Sequence, residues 1–364
     1  MSGLIMSPSL FKGWAKCPRL ALIDSYRFLG NIHTVYGRAY EHGSRLLIEM
    51  MSDYKDKKGE IYTKVTEEYE YPESEDRARE LIVGYALLES SKYLIKFSLE
   101  QHKEKNVFTL AIGLQHTYAF FDEFLTRERV DQYEERIVFK APNFTIGGAY
   151  DLKAKSTLNG TSALYDFKGI TSLWNYSFTS SPQLPIYTVL KQMALIAQGK
   201  DEAMSMNGGY LINMTSAKKG DDPFLYIPVN TKLVLNNLGN MMGEFIKAGK
   251  ELNTLLAKNP SLLLQYYNAG VGLDNCSSGF NCFQLGECES GNFAINTFPD
   301  DRVFDNKIEM TFSQSLMESA IKKIQANSSK TNLVNGDGIM TGEEIGEDAI
   351  NSFFDVDNID LSDL

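Results

Sequence analysis

At 364 residues, with 43% hydrophobic and 23% charged residues, the chain has the composition of a soluble globular protein and enough length to bury a large core. A prior of roughly 150 residues per domain allows one elaborated domain or two. No apolar run approaches the roughly 20 residues of a membrane span, and the N-terminal segment lacks the charged-then-apolar layout of a signal peptide. We therefore expect an intracellular, cytoplasmic protein with no membrane partner.

The net charge of −11 is unevenly distributed along the sequence. Residues 331–364 contain nine acidic residues and no Lys or Arg, which leaves residues 1–330 with a net charge of −2. We expect one globular domain over residues 1–330, followed by an acidic, disordered tail over residues 331–364. A nearly neutral domain leaves room for a basic groove that binds nucleic acid.

The first predicted elements are helical. Residues 7–30 are interpreted as a short helix, a Cys-Pro corner and a second apolar segment. The next helix is predicted at residues 35–54, because apolar residues recur there at helical spacing, and it carries Glu41 and His42 in its first turns. Taken alone, such a histidine is usually solvated or part of the core.

A short strand is predicted at residues 61–71, and a helical insertion is predicted at about residues 76–133. A further strand begins near residue 133 and leads into a hairpin. Aromatic side chains of the insertion have the chemistry to stack on bases, although at this spacing they are more often core residues.

The stretch from residue 146 to residue 169 predicts a β-hairpin. Residues 146–156 and 162–168 alternate apolar and polar side chains, and Asn159-Gly160 tolerates the positive φ angles of a tight turn.

This hairpin carries three charged groups. Asp166 and Lys168 share one face of their strand, and Asp151 lies on the neighbouring strand. Two carboxylates and an ammonium on a half-buried face are costly unless they bind a cation and a phosphate. The alternative is that they line a solvated face of the sheet.

After the hairpin, Ser181-Pro182 is typical of a helix start. Gln183 and Tyr187 are four residues apart on one face of that helix, where an amide and a phenol suit nucleotide binding. The ordinary alternative is a solvated first turn. Later elements are predicted as two strands and two helices, at residues 208–216, 222–230, 231–269 and 311–325.

The chain has four cysteines, and their spacing is informative. One lies near the N-terminus, and three fall within thirteen residues of a Gly, Ser and Asn-rich loop. Because disulfides are disfavoured in an intracellular chain, four thiols fit an iron–sulfur or zinc site, with four unrelated free thiols as the alternative. These residues are Cys17, Cys276, Cys282 and Cys288.

Four motifs and the cysteines occur together in an order that resembles the RecB-type branch of the PD-(D/E)xK nucleases. The resemblance extends specifically to its iron–sulfur members, the CRISPR adaptation nuclease and the AddB nuclease domain. It covers most of residues 10–295. The motifs are His42 in a helix, Gly148-Ala149-Tyr150-Asp151, Asp166-Phe167-Lys168, and Gln183-Leu184-Pro185-Ile186-Tyr187.

The resemblance implies an α/β, restriction-endonuclease-like mixed sheet flanked by helices. It also implies an iron–sulfur clasp that joins Cys17 to the three late cysteines as a [4Fe–4S] cluster. Catalysis would use Mg²⁺ or Mn²⁺, which carboxylate ligands suit.

The resemblance also assigns roles to single residues. Asp151, Asp166, the backbone carbonyl of Phe167 and His42 correspond to the family's metal ligands. Lys168 corresponds to the lysine that polarises the scissile phosphate or orients the attacking water.

Gln183 and Tyr187 correspond to the helix that supports the lysine and the DNA end. Two alternatives stay open within the resemblance. In the spacing G-x-x-x-H, the histidine position falls on Glu41 rather than His42, so either side chain is a candidate ligand. The late cysteines are spaced C-x₅-C-x₅-C, so zinc remains an alternative to iron.

The acidic tail resembles a sliding-clamp-binding motif through Glu347, Ile350, Phe353 and Phe354. A short aliphatic residue with paired aromatics can fold into a hydrophobic pocket of a replication protein. The alternative is a solubilising or DNA-mimicking tail.

The predicted function is metal-dependent DNA cleavage, as an exonuclease that processes single-stranded or resected DNA in replication or recombination. The competing function is an inactive nuclease fold that binds DNA and serves as a scaffold, tethered by its tail.

Overall fold

The computed structural model describes residues 5–16, 32–56, 59–63, 67–95, 103–170, 181–214, 224–258 and 306–334. The four cysteines and the predicted clamp-binding residues lie outside these ranges, so their predicted roles stay predictions.

Seven helices and eight strands occur in the described ranges. The helices are α1 (Pro8–Lys16), α2 (Ile32–Asp56), α3 (Glu75–Ile95), α4 (Lys103–Arg127), α5 (Gln183–Ala197), α6 (Thr231–Lys258) and α7 (Gln314–Val334). The strands are β1 (Ile61–Thr63), β2 (Glu68–Glu70), β3 (Glu128–Ala141), β4 (Phe144–Ser156), β5 (Ser162–Ile170), β6 (Gly209–Met214), β7 (Phe224–Pro228) and β8 (Asn306–Thr311).

Six strands form one mixed sheet in the order β7-β6-β5-β4-β3-β8. The pairs β3/β4, β4/β5 and β6/β7 are antiparallel, whereas β5/β6 and β3/β8 are parallel. The short strands β1 and β2 form a separate hairpin. The expectation of a mixed sheet flanked by helices is therefore confirmed at this level.

The sheet separates two apolar cores. On one face, α1, α5, α6 and α7 pack against residues such as Ile146 and Tyr210. On the other, α2, α3 and α4 pack against residues such as Leu152 and Phe167. Helix α5 is buried almost all round, because it lies between the sheet and the two late helices.

The predicted hairpin is confirmed as β4 and β5. Its loop, residues 157–161, is longer than a two-residue turn, but Gly160 has the predicted positive φ, at 68°. The loop is held by the Asn159 side chain, whose Oδ1 accepts a hydrogen bond from Thr161 N at 3.0 Å. The helix at residues 35–54, the helix after Pro182 and the strands β6 and β7 are also found where they were predicted.

Several predicted boundaries were wrong. The helical insertion ends at Arg127 rather than near residue 133, because β3 begins at Glu128 and is interrupted by a bulge between Val130 and Gln132 that hides its alternation. The strand predicted at residues 61–71 is instead the hairpin of β1 and β2.

The C-terminal helix also differs from its prediction. It begins at Gln314 and continues to Val334, so residues 331–334 belong to the helix rather than to the predicted tail. Packing extends the helix, since Ser328 is buried and Asn327 Nδ2 donates a hydrogen bond to Met204 O at 3.2 Å. The strand β8, which precedes it, was not predicted. The predicted helix at residues 231–269 is found as far as Lys258, and the remainder lies outside the described residues.

None of the helices in the described ranges is long and apolar enough to cross a membrane.

Candidate functional site

Asp166 lies in the middle of β5, and its side chain is buried, with 1% of its surface exposed. Its Oδ1 accepts a hydrogen bond from Gln183 Nε2 at 3.0 Å, and its Oδ2 forms an ion pair with Lys168 Nζ. The strand alternation places Asp166 and Lys168 on the same face, as predicted, and the first turn of α5 supplies the amide. Three of the predicted site residues therefore meet in one place.

Asp151 joins this group from β4 in a way that the alternation pattern does not predict. Its Oδ2 accepts a hydrogen bond from the backbone N–H of Phe167 at 2.7 Å. The backbone pairing of β4 with β5 ends one residue away, at Leu152 opposite Tyr165. The Asp151 carboxylate therefore accepts a hydrogen bond from a β5 backbone N–H just beyond the point where the β4/β5 pairing ends.

Two further features mark this separation. Met6 takes the place of β5 beside β4, with hydrogen bonds from Met6 N to Thr145 O at 3.0 Å and from Gly147 N to Met6 O at 3.1 Å. The core contacts of β4 also change sides at Asp151, because Tyr150 packs in one core and Leu152 in the other. In a regular strand these two residues would share a face.

The adjacent strand is irregular at the same level. Glu134 on β3 has a φ of 28°, in the left-handed region that side chains other than glycine rarely adopt. Its Oε2 accepts a hydrogen bond from Arg45 Nη1 at 2.5 Å. Backbone strain of this kind concentrates at functional sites, and here it lies beside Asp151.

Burial and neighbouring charges shift the pKa values of the two aspartates in the site. Burial raises the pKa of Asp151 well above its usual range, and repulsion from Glu41 and Asp166 adds to the rise, against opposing effects of Lys168 and the Phe167 N–H. Burial also raises the pKa of Asp166, although Lys168 counteracts it. Three carboxylates therefore share a poorly hydrated space with one ammonium.

Lys168 responds to the same carboxylates. Burial by itself lowers the pKa of its ammonium, but attraction from Asp166, Asp151 and Glu41 outweighs burial and raises that pKa overall. Lys168 is consequently held in its charged form. Its Nζ also lies 3.4 Å from the backbone carbonyl oxygen of Phe167, the fourth predicted metal ligand.

The helix α2 supplies both candidates for the helical ligand. Glu41 is close enough to Asp151 and Lys168 to shift their pKa values. His42 packs against Tyr93, with ring centroids 5.2 Å apart. Both line a cleft of about 250 Å³ that also contains Arg38, Arg45, Tyr93, Glu134, Asp151 and Phe167.

Helix α2 reaches the site because its backbone at Gly37 lies against the backbone of β5 at Gly169. A Cβ at Gly169 would lie 2.6 Å from the Cα of Gly37, so only glycine fits at this crossing. Gly169 directly follows Lys168, and Gly37 lies one turn before Glu41. The crossing therefore sets the position of Glu41 relative to the hairpin.

Tyr187 lies one turn after Gln183 on the same face of α5, as predicted. It packs on Gly148, where a Cβ would lie 2.8 Å from Tyr187 Cε1. Burial raises the pKa of its phenol, with a further contribution from Asp166, and a hydrogen bond with Ser9 opposes the rise. Tyr187 therefore stays neutral and ties α1 to the site.

The structure adds a buried ion pair that sequence reasoning did not identify. Lys191 Nζ lies 2.5 Å from Glu135 Oε2 and 3.1 Å from Gln132 Oε1, and Tyr150 donates to the same Glu135 oxygen at 2.9 Å. The available signal was the single charged residue of a mainly apolar helix, one turn beyond Tyr187. This pair fixes α5 against β3 and β4, next to Asp151.

The residues suit a divalent cation in charge and in ligand type. Glu41, Asp151 and Asp166 lie close to one another beside a single ammonium, that of Lys168, and a bound cation would favour the ionised form of carboxylates whose pKa burial and mutual repulsion raise. Hard carboxylate oxygens are the ligands that Mg²⁺ and Mn²⁺ prefer. In the arrangement described, Lys168 occupies Asp166 Oδ2, and among the described residues no three His, Cys, Asp or Glu side chains converge as a complete metal site.

No protein-family model matches this chain, and no curated protein matches it.

Proposed function

We propose that this protein is a metal-dependent deoxyribonuclease of the RecB-type PD-(D/E)xK class. The observation that carries the proposal is the convergence of Asp151, Asp166, Lys168 and Gln183 in one buried site, from two strands and a helix. Strand alternation, helical spacing and the family resemblance identify all four as candidate site residues in the sequence. A solvated sheet face would not bury Asp166 to 1% exposure or hold it with a helix amide.

The carboxylates are the proposed cation ligands. Asp151 and Asp166 would hold Mg²⁺ or Mn²⁺ with the Phe167 carbonyl. Glu41 fits the helical ligand position better than His42, because both line the cleft with Asp151 but the His42 ring packs against Tyr93. When bound, such a cation lowers the pKa of a coordinated water and neutralises charge on the phosphate.

The remaining residues have distinct tasks. Lys168 is kept charged, so it can donate hydrogen bonds to a nonbridging phosphate oxygen as negative charge develops there. Gln183 holds Asp166 Oδ1, which leaves Oδ2 as the free ligand once Lys168 turns to the phosphate. Arg38, exposed at the cleft, forms no ion pair with any described residue and is available for a phosphate of the backbone.

The proposed substrate is DNA, and the proposed activity is exonuclease processing of single-stranded or resected ends. Cleavage of end-labelled single- and double-stranded DNA, linear and circular, with Mg²⁺ or Mn²⁺, tests both parts. Exonuclease activity predicts products that accumulate from one end of linear DNA and leave circular DNA intact.

Asp166→Ala and Lys168→Ala should each abolish cleavage and leave the fold. Asp122→Ala and Lys155→Ala are matched controls, because these residues lie away from the site, and they should retain activity. Full activity in purified Asp166→Ala and Lys168→Ala would refute the assignment. DNA binding by the wild-type protein without any cleavage would favour the scaffold function instead.

A further inference from the structure

A partly exposed aromatic ring lines the cleft that contains Glu41 and Asp151. Tyr93, near the end of α3, has 39% of its surface exposed and packs against His42 at an interplanar angle of 53°. Asp151 and Glu41 line the same cleft. The helical insertion therefore delivers a ring with an accessible face to the site that the hairpin and α2 build.

Three kinds of group line this cleft, and together they match the phosphates and a base of a short nucleic-acid strand. The carboxylates suit a cation at the reacting phosphate, and Arg38 suits a neighbouring phosphate. The Tyr93 ring suits the flat face of a base, since aromatic side chains bind bases by stacking with little regard to sequence.

Stacking on Tyr93 requires a base with one free face. Inside a continuous duplex, both faces of a base are covered by its neighbours, so a protein ring cannot stack on it without unstacking the duplex. A single strand or a frayed end leaves a face free. A ring that lines the cleft would therefore contact a base in a single strand and not in a continuous duplex.

We propose that Tyr93 stacks on an unpaired base of the bound strand and thereby selects single-stranded over duplex DNA. The inference rests on the proposed function for the identity of the polymer. Tyr93 acts as a positioning and specificity residue, because it touches the base and not the reacting phosphate.

The test is binding of single-stranded oligonucleotides that carry 2-aminopurine at successive positions from one end, with Ca²⁺ in place of Mg²⁺. Wild-type protein and Tyr93→Phe should quench the fluorescence at one or two positions, because stacking quenches this base. Tyr93→Ala should lose the quenching and bind the single strand about tenfold more weakly. Its binding to a blunt hairpin duplex should change less than twofold.

Matched variants separate stacking from stability. Tyr71→Ala removes a tyrosine that is 71% exposed and does not line the cleft, and it should behave as wild type. Tyr93→Leu keeps an apolar cover on His42 but has no aromatic face, so it should lose quenching even if Tyr93→Ala fails to fold. Unchanged quenching in Tyr93→Leu, or equal loss in Tyr71→Ala, would overturn the inference.

The two proposals fail in different ways. Quenching that depends on Tyr93, without cleavage by the wild-type protein in Mg²⁺ or Mn²⁺, would remove the nuclease function and keep the stacking site. Cleavage by the wild-type protein, with the same quenching and strand preference in the Tyr93 variants, would remove the stacking site and keep the nuclease.

Discussion

Gln183 Nε2 donates a hydrogen bond to Asp166 Oδ1 at 3.0 Å, and this contact links the first turn of α5 to the middle of β5. Residues that orient a metal ligand contribute to metal affinity and activity without touching the metal. We therefore expect Gln183→Ala to lower cleavage activity by roughly 10- to 100-fold and to raise the Mn²⁺ concentration needed for half-maximal activity.

Gln192 provides the control for this change. It is buried on the same helix, and its side chain bonds the backbone of Glu202 and Met204 rather than a site residue. Gln192→Ala should lower stability without altering the Mn²⁺ requirement. An unchanged Mn²⁺ requirement in Gln183→Ala would contradict the orienting role.

Removing one of the mutually repelling carboxylates should stabilise the metal-free protein. Burial, Glu41 and Asp166 all raise the pKa of Asp151, so its ionised form is unfavourable at neutral pH. Asp151→Asn should raise the free energy of unfolding in EDTA by about 1–2 kcal/mol, as expected for a site that trades stability for activity.

On the proposed function, Mn²⁺ should stabilise the wild-type protein, and the same variant should lose that stabilisation because it lacks a proposed ligand. Thermal melts in EDTA and in Mn²⁺ measure both effects. Asp122→Asn, at an exposed ion pair with Lys55, should change neither by more than about 0.5 kcal/mol. A lower melting temperature of Asp151→Asn than of wild type in EDTA would argue against repulsion of Asp151 by Glu41 and Asp166 as a source of instability.

Glu128, at the start of β3, should make stability depend on pH. Burial raises its pKa from 4.5 to about 7. Because the folded state holds this proton more tightly than the unfolded state, the contribution of Glu128 to stability is present below about pH 4.5 and is lost as the pH rises through about 7.

Glu128→Gln removes this dependence. Since the carboxyl is only partly buried, we expect the variant to exceed wild type by about 1–2 kcal/mol at pH 8 and to match it near pH 4.5. Urea denaturation at both pH values measures the difference. An equal gain at both pH values would mean that packing, and not ionisation, is responsible.

The crossing of α2 over β5 should tolerate no side chain. Gly169→Ala would place a Cβ 2.6 Å from the Gly37 backbone, so we expect a loss of about 1–3 kcal/mol in stability and reduced cleavage through displacement of Glu41. Gly84→Ala, on α3 with no atom within 4 Å of the added Cβ, should instead stabilise by about 0.5–1 kcal/mol. Chemical denaturation measures the free energy of unfolding of both variants. A change of the same sign in the two variants would contradict the close contact between Gly37 and Gly169.

The four cysteines remain a prediction of a metal clasp. Helix α1 ends one residue before Cys17, and it packs on α6 through Phe11 and Phe245, whose ring centroids are 5.5 Å apart. Protein purified anaerobically should be brown, absorb near the blue edge of the visible spectrum and contain iron, and Cys17→Ser should lose the colour. A colourless preparation that contains zinc would identify the alternative metal.

Sequence alone determined the hairpin, its turn glycine and the shared face of Asp166 and Lys168. These features depend on neighbours along the chain, because strand alternation and turn conformation are local properties. The same holds for the stripe of Gln183 and Tyr187 on α5, since residues four apart lie on one face of any helix.

The tertiary structure decided the rest of the site. β4 separates from β5 where Met6 bonds to β4 and Asp151 accepts the Phe167 N–H, and Glu41 is positioned by the Gly37–Gly169 crossing. The Met6 and Gly37–Gly169 contacts join segments far apart in the chain, which local periodicity does not encode. The identity of the groups was therefore readable in the sequence, whereas their convergence required long-range packing.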